Sequence, residues 1–525
     1  MELILSSPTV KIFDKSDIVP NLSGKCLKNQ SYAFQVFVSA DKDGEYPVSV
    51  VSDLACTVFV VEKLKGDYYY NKDVDDFYVY SADGYYPELL KKADTLSLKS
   101  GEYQVLYINV DGKEKPAKKH RIKVSVGNES IVHTLEVLDS EMVESDLKIT
   151  HWLHFDGICR IYNVAPFSAE FYKVFDKFLA AYVKLGNTMA IVPLFTPPLD
   201  TAVGGERLTV QLVKVKKTGC KYSFNLKELD RYIDFCLVHG IKYFELSHLF
   251  TQWGGKFCPK IIADVCGVPT KIFGWGNRSE SLKYKRFLKK FFAVLIPFLK
   301  EKGIFHDTVM HLTDEPHGPH ITRYARLSKF VKKINGKLPV FDALSHYDFY
   351  KSGAVDLPVV SIGSNEYGLF DKQKILAYYC CSEHKNYLTN RFFHMPLQRT
   401  EILGVCLYAE NVLGFLHWGY NFYNKRLSVA PADPYTDTTA GENGFPAGDS
   451  FLVYPGEEDV EYSIRYFSIL RAFEDYRLLK TLEKKIGRTA VLDLLKESGY
   501  VDRHTYPHDP EYLNDLREKI YSMIR

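Results

Sequence analysis

The sequence predicts an α/β protein, an N-terminal β-sandwich followed by a (β/α)8 barrel of the TIM type with C-terminal helices. Three observations predict it. The chain up to about residue 140 is a succession of short β-branched runs cut by Gly, Asp, Asn and Lys turns. From about residue 146, strand-like runs alternate with long amphipathic stretches, as repeated βα units require. Those later runs number about eight, the count a parallel barrel needs. The expected domains are 1–145 (sandwich), 146–485 (barrel) and 486–525 (a helical segment).

The sandwich strands are read near 32–38, 46–51, 57–61, 103–110, 120–126 and 131–137, where Val, Ile, Phe and Tyr dominate. Barrel strands are expected near 148–155, 188–192, 243–247, 307–313, 339–341, 355–361, 376–380 and 412–418. Helices fall between them at 169–185, 226–239, 279–301 and 321–334. In the first of these, Phe171, Val174, Phe178, Leu179 and Tyr182 lie at helical spacing on one face. Residues 420–455, rich in Asn, Asp, Pro, Gly and Thr, form a long loop of the kind that builds active sites. Helices follow near 463–485 and 491–497.

Composition narrows the function. At 525 residues the chain exceeds what one core supports. A net charge of +2 gives no electrostatic case for nucleic acid or an anionic membrane. The ten cysteines contain no Cys-x-x-Cys pair, which removes the common zinc and dithiol motifs. The N-terminal segment lacks a basic region and a long apolar run, and no stretch approaches the roughly 20 apolar residues of a membrane span. A cytoplasmic protein without membrane partners is expected. Aromatics reach 14%, and Tyr and Trp suit sugar rings, offering an apolar face and a hydrogen-bonding edge.

The most informative stretch is His311-Leu312-Thr313-Asp314-Glu315-Pro316-His317. A strand delivers two adjacent carboxylates to its C-terminal end, where α/β folds place their chemistry and where Pro316 stops regular pairing. Neighbouring acids repel, so one is expected to hold a proton, as a general acid must. Strand alternation would point the two side chains apart, so both reach the site only where the strand ends or bulges. Other strand ends would surround them with Trp152, His154, Glu245, His248, Trp253, Asp342, Tyr379, Trp418 and Asn421 as candidate substrate contacts. Tyr378 and Tyr379 point to opposite faces, so one of them at most faces the site. A metal reading would use His311, Asp314, Glu315, His317 and His320, but the spacing matches no known metal helix and lies astride a proline. No metal or cofactor is expected. No Gly-x-Ser-x-Gly elbow supports a serine hydrolase, and Gly204-Gly205 and Gly254-Gly255 form no nucleotide fingerprint.

Leu312-Thr313-Asp314-Glu315-Pro316 resembles the catalytic-strand motif of glycoside hydrolase family 123. So, in order and spacing, do Gly414-Phe415-Leu416-His417-Trp418-Gly419, the run from Gly448-Asp449-Ser450 to Tyr454-Pro455-Gly456, Ser463-Ile464-Arg465 and Arg471-Ala472-Phe473-Glu474-Asp475-Tyr476. The resemblance covers about residues 145–485, with Phe473 standing where many relatives carry Gly. It implies the sandwich-plus-barrel fold and a retaining β-N-acetylgalactosaminidase acting by substrate assistance. By that resemblance Glu315 is the acid/base, and Asp314 orients the substrate's 2-acetamido group, whose oxygen attacks the anomeric carbon to give an oxazolinium. The implied partner is a carbohydrate, an oligosaccharide or glycoconjugate. The competing reading is a non-catalytic glycan-binding protein on the same barrel.

Overall fold

The computed structural model describes residues 1–68, 74–442 and 444–524. The chain divides into two compact units, both discontinuous. One comprises Met1–Asp146, Glu383–Glu410 and Pro446–Arg525, and the other Leu147–Ser382 and Asn411–Phe445. The linear boundaries expected at 145 and 485 therefore describe only the first crossing. Residues 383–410 and 446–485 pack with the N-terminal sheets, and so do the last forty residues.

The first unit is built on two sheets. One has seven antiparallel strands in the order Glu2–Ser6, Tyr32–Ser39, Tyr103–Val110, Cys56–Gly66, Gly84–Lys92, Val460–Ser463 and Val453–Pro455. The other has five, in the order Ser23–Leu27, Glu129–Leu138, Lys119–Val126, Gly44–Val51 and Thr95–Leu98. Alternation decides which side chains go inside: along Lys119–Val126, His120, Ile122, Val124 and Val126 are buried while Lys119, Arg121 and Lys123 are exposed. Phe34, Val36 and Ile108 of the first sheet share one apolar core with Ile122, Val124 and Leu135 of the second.

Helix Ile464–Ile486 starts at Ser463, whose hydroxyl accepts the Tyr466 amide at 3.0 Å. Its Arg465 grips Glu88 of strand Gly84–Lys92 at 2.7 Å, both side chains fully buried. Arg471 pairs with Glu401, and Arg517 of helix Tyr512–Ile524 bonds Asp475 and Glu401. The motifs near residues 463–476 thus hold this unit together, and Phe473 is part of its buried packing. We expect Arg465→Met to destabilise the protein by about 3–5 kcal/mol, because it leaves the Glu88 charge in the interior without its guanidinium, the Tyr454 hydroxyl at 2.9 Å alone being too little to hold it. Urea unfolding checks this, and a loss below about 1 kcal/mol, the value of an exposed pair, would show that the ion pair is dispensable.

The second unit is α/β. Its eight parallel strands are Lys148–His151, Met189–Val192, Tyr243–Leu246, Thr308–Met310, Phe341–Leu344, Leu357–Ser361, Leu376–Tyr378 and Gly414–His417. Each overlaps an expected barrel strand, although Phe341–Leu344 runs three residues past 341 and Lys148–His151 stops four short of 155. Their ladders run in two sheets rather than one continuous ring. Five strands pair in the order 148–151, 414–417, 376–378, 357–361, 341–344, and three in the order 189–192, 243–246, 308–310. Where the sheets adjoin, hydrogen bonding thins to a parallel bridge between Met310 and Val340 and a 3.0 Å bond from the Thr188 amide to the Ile149 carbonyl.

Helices Ala169–Lys184 and Leu282–Glu301 begin at Ser168 and Ser281, whose hydroxyls accept the Phe171 and Tyr284 amides. Phe171, Phe175, Phe178, Leu179 and Tyr182 are buried on the first, so Phe175 sits deeper than the expected Val174. A four-stranded sheet, Lys221–Asn225, Lys214–Thr218, Ile261–Val265 and Val268–Phe273, was not among the expected elements. Its strands are half exposed, and Lys214–Thr218 carries three lysines, which hides the apolar alternation. Among the described residues no helix is long and apolar enough to cross a membrane.

Candidate active site

Strand Thr308–Met310 is buried throughout and ends one residue before His311. Beyond it the backbone stays bonded to the chain after strand Tyr243–Leu246, the His311 amide meeting the Leu246 carbonyl at 3.1 Å and the Phe250 amide the Leu312 carbonyl at 2.9 Å, but it leaves the ladder on its other side. The Leu312 and Thr313 amides bond the Asp342 carboxylate at 3.0 and 3.2 Å, and the Asp314 carbonyl accepts the Trp253 amide at 2.9 Å. Glu315 then takes a φ of 39°, the left-handed region that L-residues avoid at a cost of about 1–2 kcal/mol. This turn breaks the alternation that would have pointed Asp314 and Glu315 apart. Gly254-Gly255, which form no nucleotide site, make room for it. A Cβ on Gly255 would stand 2.8 Å from Thr313 Cγ2, and one on Gly254 2.3 Å from the His320 ring.

Both carboxylates are half-buried. Burial first, and then the charge on Glu315, push Asp314 well above the usual carboxylate range, while the His311 cation opposes the rise. Glu315 Oε1 accepts the Tyr378 hydroxyl at 2.7 Å. Tyr378, not Tyr379, is therefore the tyrosine that meets the acid pair. Tyr379 is fully buried and packs on Phe415 and His417. We expect Tyr378→Phe to lower kcat roughly tenfold or more with little change in KM, since a hydrogen bond to a charged group contributes about 1.5–3 kcal/mol. Steady-state kinetics check this, and an unchanged kcat would remove Tyr378 from the machinery.

Several expected substrate contacts lie below this surface instead. Glu245 and Asp342 are fully buried and clasp His311, with Nε2 at 3.0 Å from Glu245 and Nδ1 at 3.2 Å from Asp342. Burial works against the His311 cation, but the two carboxylates outweigh it and push its pKa up to about 9. Trp152 donates its indole N–H to Glu245 at 3.1 Å and is 3% exposed, so it braces the carboxylate rather than lying flat under a ligand. His248 stacks on His311 at 4.2 Å and meets Trp152 edge-on, and burial, then His311, keep it neutral. Asn421 exchanges two hydrogen bonds with the His154 backbone, and the His154 ring meets the Trp418 carbonyl at 2.9 Å. Burial, then the Arg207 charge, lower His154 to about 4. Glu245, Asp342, Trp152, His154 and Asn421 are buried with hydrogen-bond partners already supplied by the protein, whereas neither ring nitrogen of His248 has one among the described residues.

Trp418 and Trp253 keep exposed surface. Trp418 is half-buried against Phe422 and Phe445, with ring centroids at 5.2 and 4.8 Å. Trp253 is 39% exposed on the residue hydrogen-bonded to Asp314. Residues that the sequence did not single out are Tyr324, which donates to Asp342 at 2.5 Å, and Asp200, whose charge also raises Asp314. Neither carries a local signal, since helix position and loop composition do not show where a side chain is aimed.

The alternative metal set does not assemble. His311 spends both nitrogens on carboxylates, and His317 is exposed, its amide bonded to His320. Among the described residues His248, His311 and Asp342 bring ligand atoms within 4.8 Å of one another. The two imidazoles are stacked at 16°, however, so no nearby point lies in both ring planes, where a bound ion would sit.

Parallel strands thus present a carboxylate pair with the exposed Trp253 bonded to its backbone, an arrangement suited to a carbohydrate, and the comparisons agree. Residues 152–482 match the family model described as glycoside hydrolase 123, catalytic domain. The protein is a glycoside hydrolase. That match spans more than half of the chain, and the chain belongs to glycoside hydrolase family 123. Its fold is similar to that of a family 123 glycoside hydrolase from Clostridium perfringens studied for glycolipid glycan hydrolysis. The TM-score is 0.75 at 13% identity, covering 100% of this chain and 98% of that one. A Clostridium thermocellum endo-1,4-β-D-xylanase follows with a TM-score of 0.33 at 10% identity, covering 90% and 93%, too distant to argue from. No curated protein matches the chain in sequence.

Proposed function

We propose that the protein is a retaining glycosidase that releases β-linked N-acetylhexosamine, GalNAc above all, from oligosaccharides or glycoconjugates by substrate-assisted catalysis. Its eight parallel strands act as a (β/α)8 barrel with the site at their C-terminal ends. Glu315 protonates the leaving oxygen and later deprotonates the incoming water. Tyr378 occupies Oε1 and leaves Oε2 to handle the proton. Asp314 acts in its ionised form, which the His311 cation favours against burial and the Glu315 charge: it receives the acetamido N–H and stabilises the positive charge that develops as the acetamido oxygen closes on the anomeric carbon.

One observation carries this reading. Asp314 and Glu315 share one turn, while Glu245 and Asp342 are fully buried and committed to His311, and Asp200, whose charge reaches Asp314, is held by the Leu427 amide at 2.7 Å. The nucleophile is then the substrate's own. The GalNAc preference is what the resemblance of the Leu312–Pro316 motif implies, and the glycolipid glycan hydrolysis of the Clostridium perfringens relative fits a glycoconjugate substrate. The test is hydrolysis of a chromogenic β-GalNAc substrate, with strong inhibition by the matching thiazoline, which mimics the cyclised intermediate. Turnover of the 2-hydroxy analogue at a comparable rate would defeat substrate assistance. Sugar binding without any turnover would favour the glycan-binding reading.

A further inference from the structure

The turn carrying Asp314 and Glu315 is held by a side chain of the neighbouring strand. Up to Met310 the backbone pairs with its neighbours in the ordinary way, the Met310 amide meeting the Pro339 carbonyl at 3.0 Å. Two residues on, the amides of Leu312 and Thr313 bond a carboxylate from strand Phe341–Leu344 instead of its backbone. That carboxylate, Asp342, accepts four hydrogen bonds, two on each oxygen. Oδ1 takes His311 Nδ1 at 3.2 Å and the Leu312 amide at 3.0 Å. Oδ2 takes the Thr313 amide at 3.2 Å and the Tyr324 hydroxyl at 2.5 Å. A carboxylate offers about four acceptor positions, so Asp342 has none left for a substrate.

We propose that Asp342, oriented by His311 and Tyr324, is a positioning residue that takes the place of backbone pairing with strand Phe341–Leu344 and sets the turn on which Asp314 and Glu315 stand. The inference rests on the glycosidase reading for its catalytic consequence, but not for the clamp itself. The left-handed φ of 39° at Glu315 needs surroundings that over-determine it, and two charge-assisted bonds to the amides just before it supply them. His311 serves this purpose as a cation. Its second nitrogen is fixed by Glu245, which is in turn fixed by Thr150 and Trp152, so the clamp is anchored across three strands. A carboxylate facing four donors cannot be replaced by an amide without turning one acceptor into a fifth donor.

The test compares wild type with D342N in two measurements. Amide hydrogen exchange by mass spectrometry should show peptides containing residues 312 and 313 exchanging at least about tenfold faster in D342N, with the other strands unchanged. For β-N-acetylhexosaminides, kcat should fall by about 10²-fold with KM nearly constant, as expected when reacting groups shift by about an ångström. The loss should be equal for good and poor leaving groups, because both carboxylates move together. Unchanged exchange at 312 and 313 would overturn the clamp, and faster exchange with wild-type kcat would overturn its positioning role. A wild type that hydrolyses no N-acetylhexosaminide would refute the substrate assignment, while exchange in D342N would still decide the clamp. Should D342N fail to fold, Y324F, which removes one donor and keeps the carboxylate, carries the same comparison with the same outcomes.

Discussion

Glu315→Gln is expected to slow hydrolysis of substrates with poor leaving groups by about 10²–10⁴-fold, the usual value of a positioned general acid. The amide keeps the shape and the Tyr378 contact but has no proton to give. Substrates whose leaving group departs without protonation should lose much less in the first step. The comparison is a leaving-group series measured on both proteins. Parallel losses along the series would mean that Glu315 shapes the site without acting as its acid. Asp342→Asn should show that parallel loss, so the two variants separate proton transfer from placement.

Asp314→Asn should cost about 10²–10³-fold in kcat, the range seen when a preorganised electrostatic partner of a charged intermediate is lost. Asp314 is half-buried beside another acid, and burial and Glu315 both push its proton affinity up. Removing its charge should therefore leave the fold intact or slightly more stable. Kinetics and thermal unfolding on the same samples make the check. A large drop in Tm would point to a structural acid. A covalent sugar adduct at Asp314 would point to a protein nucleophile and overturn substrate assistance.

Local chemistry made part of this protein legible. Each of the eight parallel strands is a short apolar run, and the helices between them declare themselves by an apolar stripe, with Ser168 and Ser281 marking two of the starts. Asp314-Glu315 stood out because a proline follows two acids at a strand end. What stayed hidden depends on partners distant in sequence. Nothing beside Asp342 or Glu245 shows that each is buried against His311, so both read as ligand contacts. Tyr378 and Tyr379 differ by one position, and only the register with Phe415 and Leu416 decides which faces Glu315. The Arg465 and Arg471 motifs looked like part of the catalytic unit because sequence order does not reveal which sheet a returning segment rejoins.

That return has a consequence for synthesis on the ribosome. The acidic side chain of Glu88 emerges early, yet the guanidinium that neutralises it lies 377 residues further along the chain. Strand Gly84–Lys92 must also wait for Val460–Ser463 to cover its open edge. Throughout that interval the nascent N-terminal sheets carry an uncompensated charge and an unpaired strand, features that invite mispairing. The α/β unit, which lies between in the sequence, has all its strands before either defect is repaired. The N-terminal unit, begun first, is the one finished last.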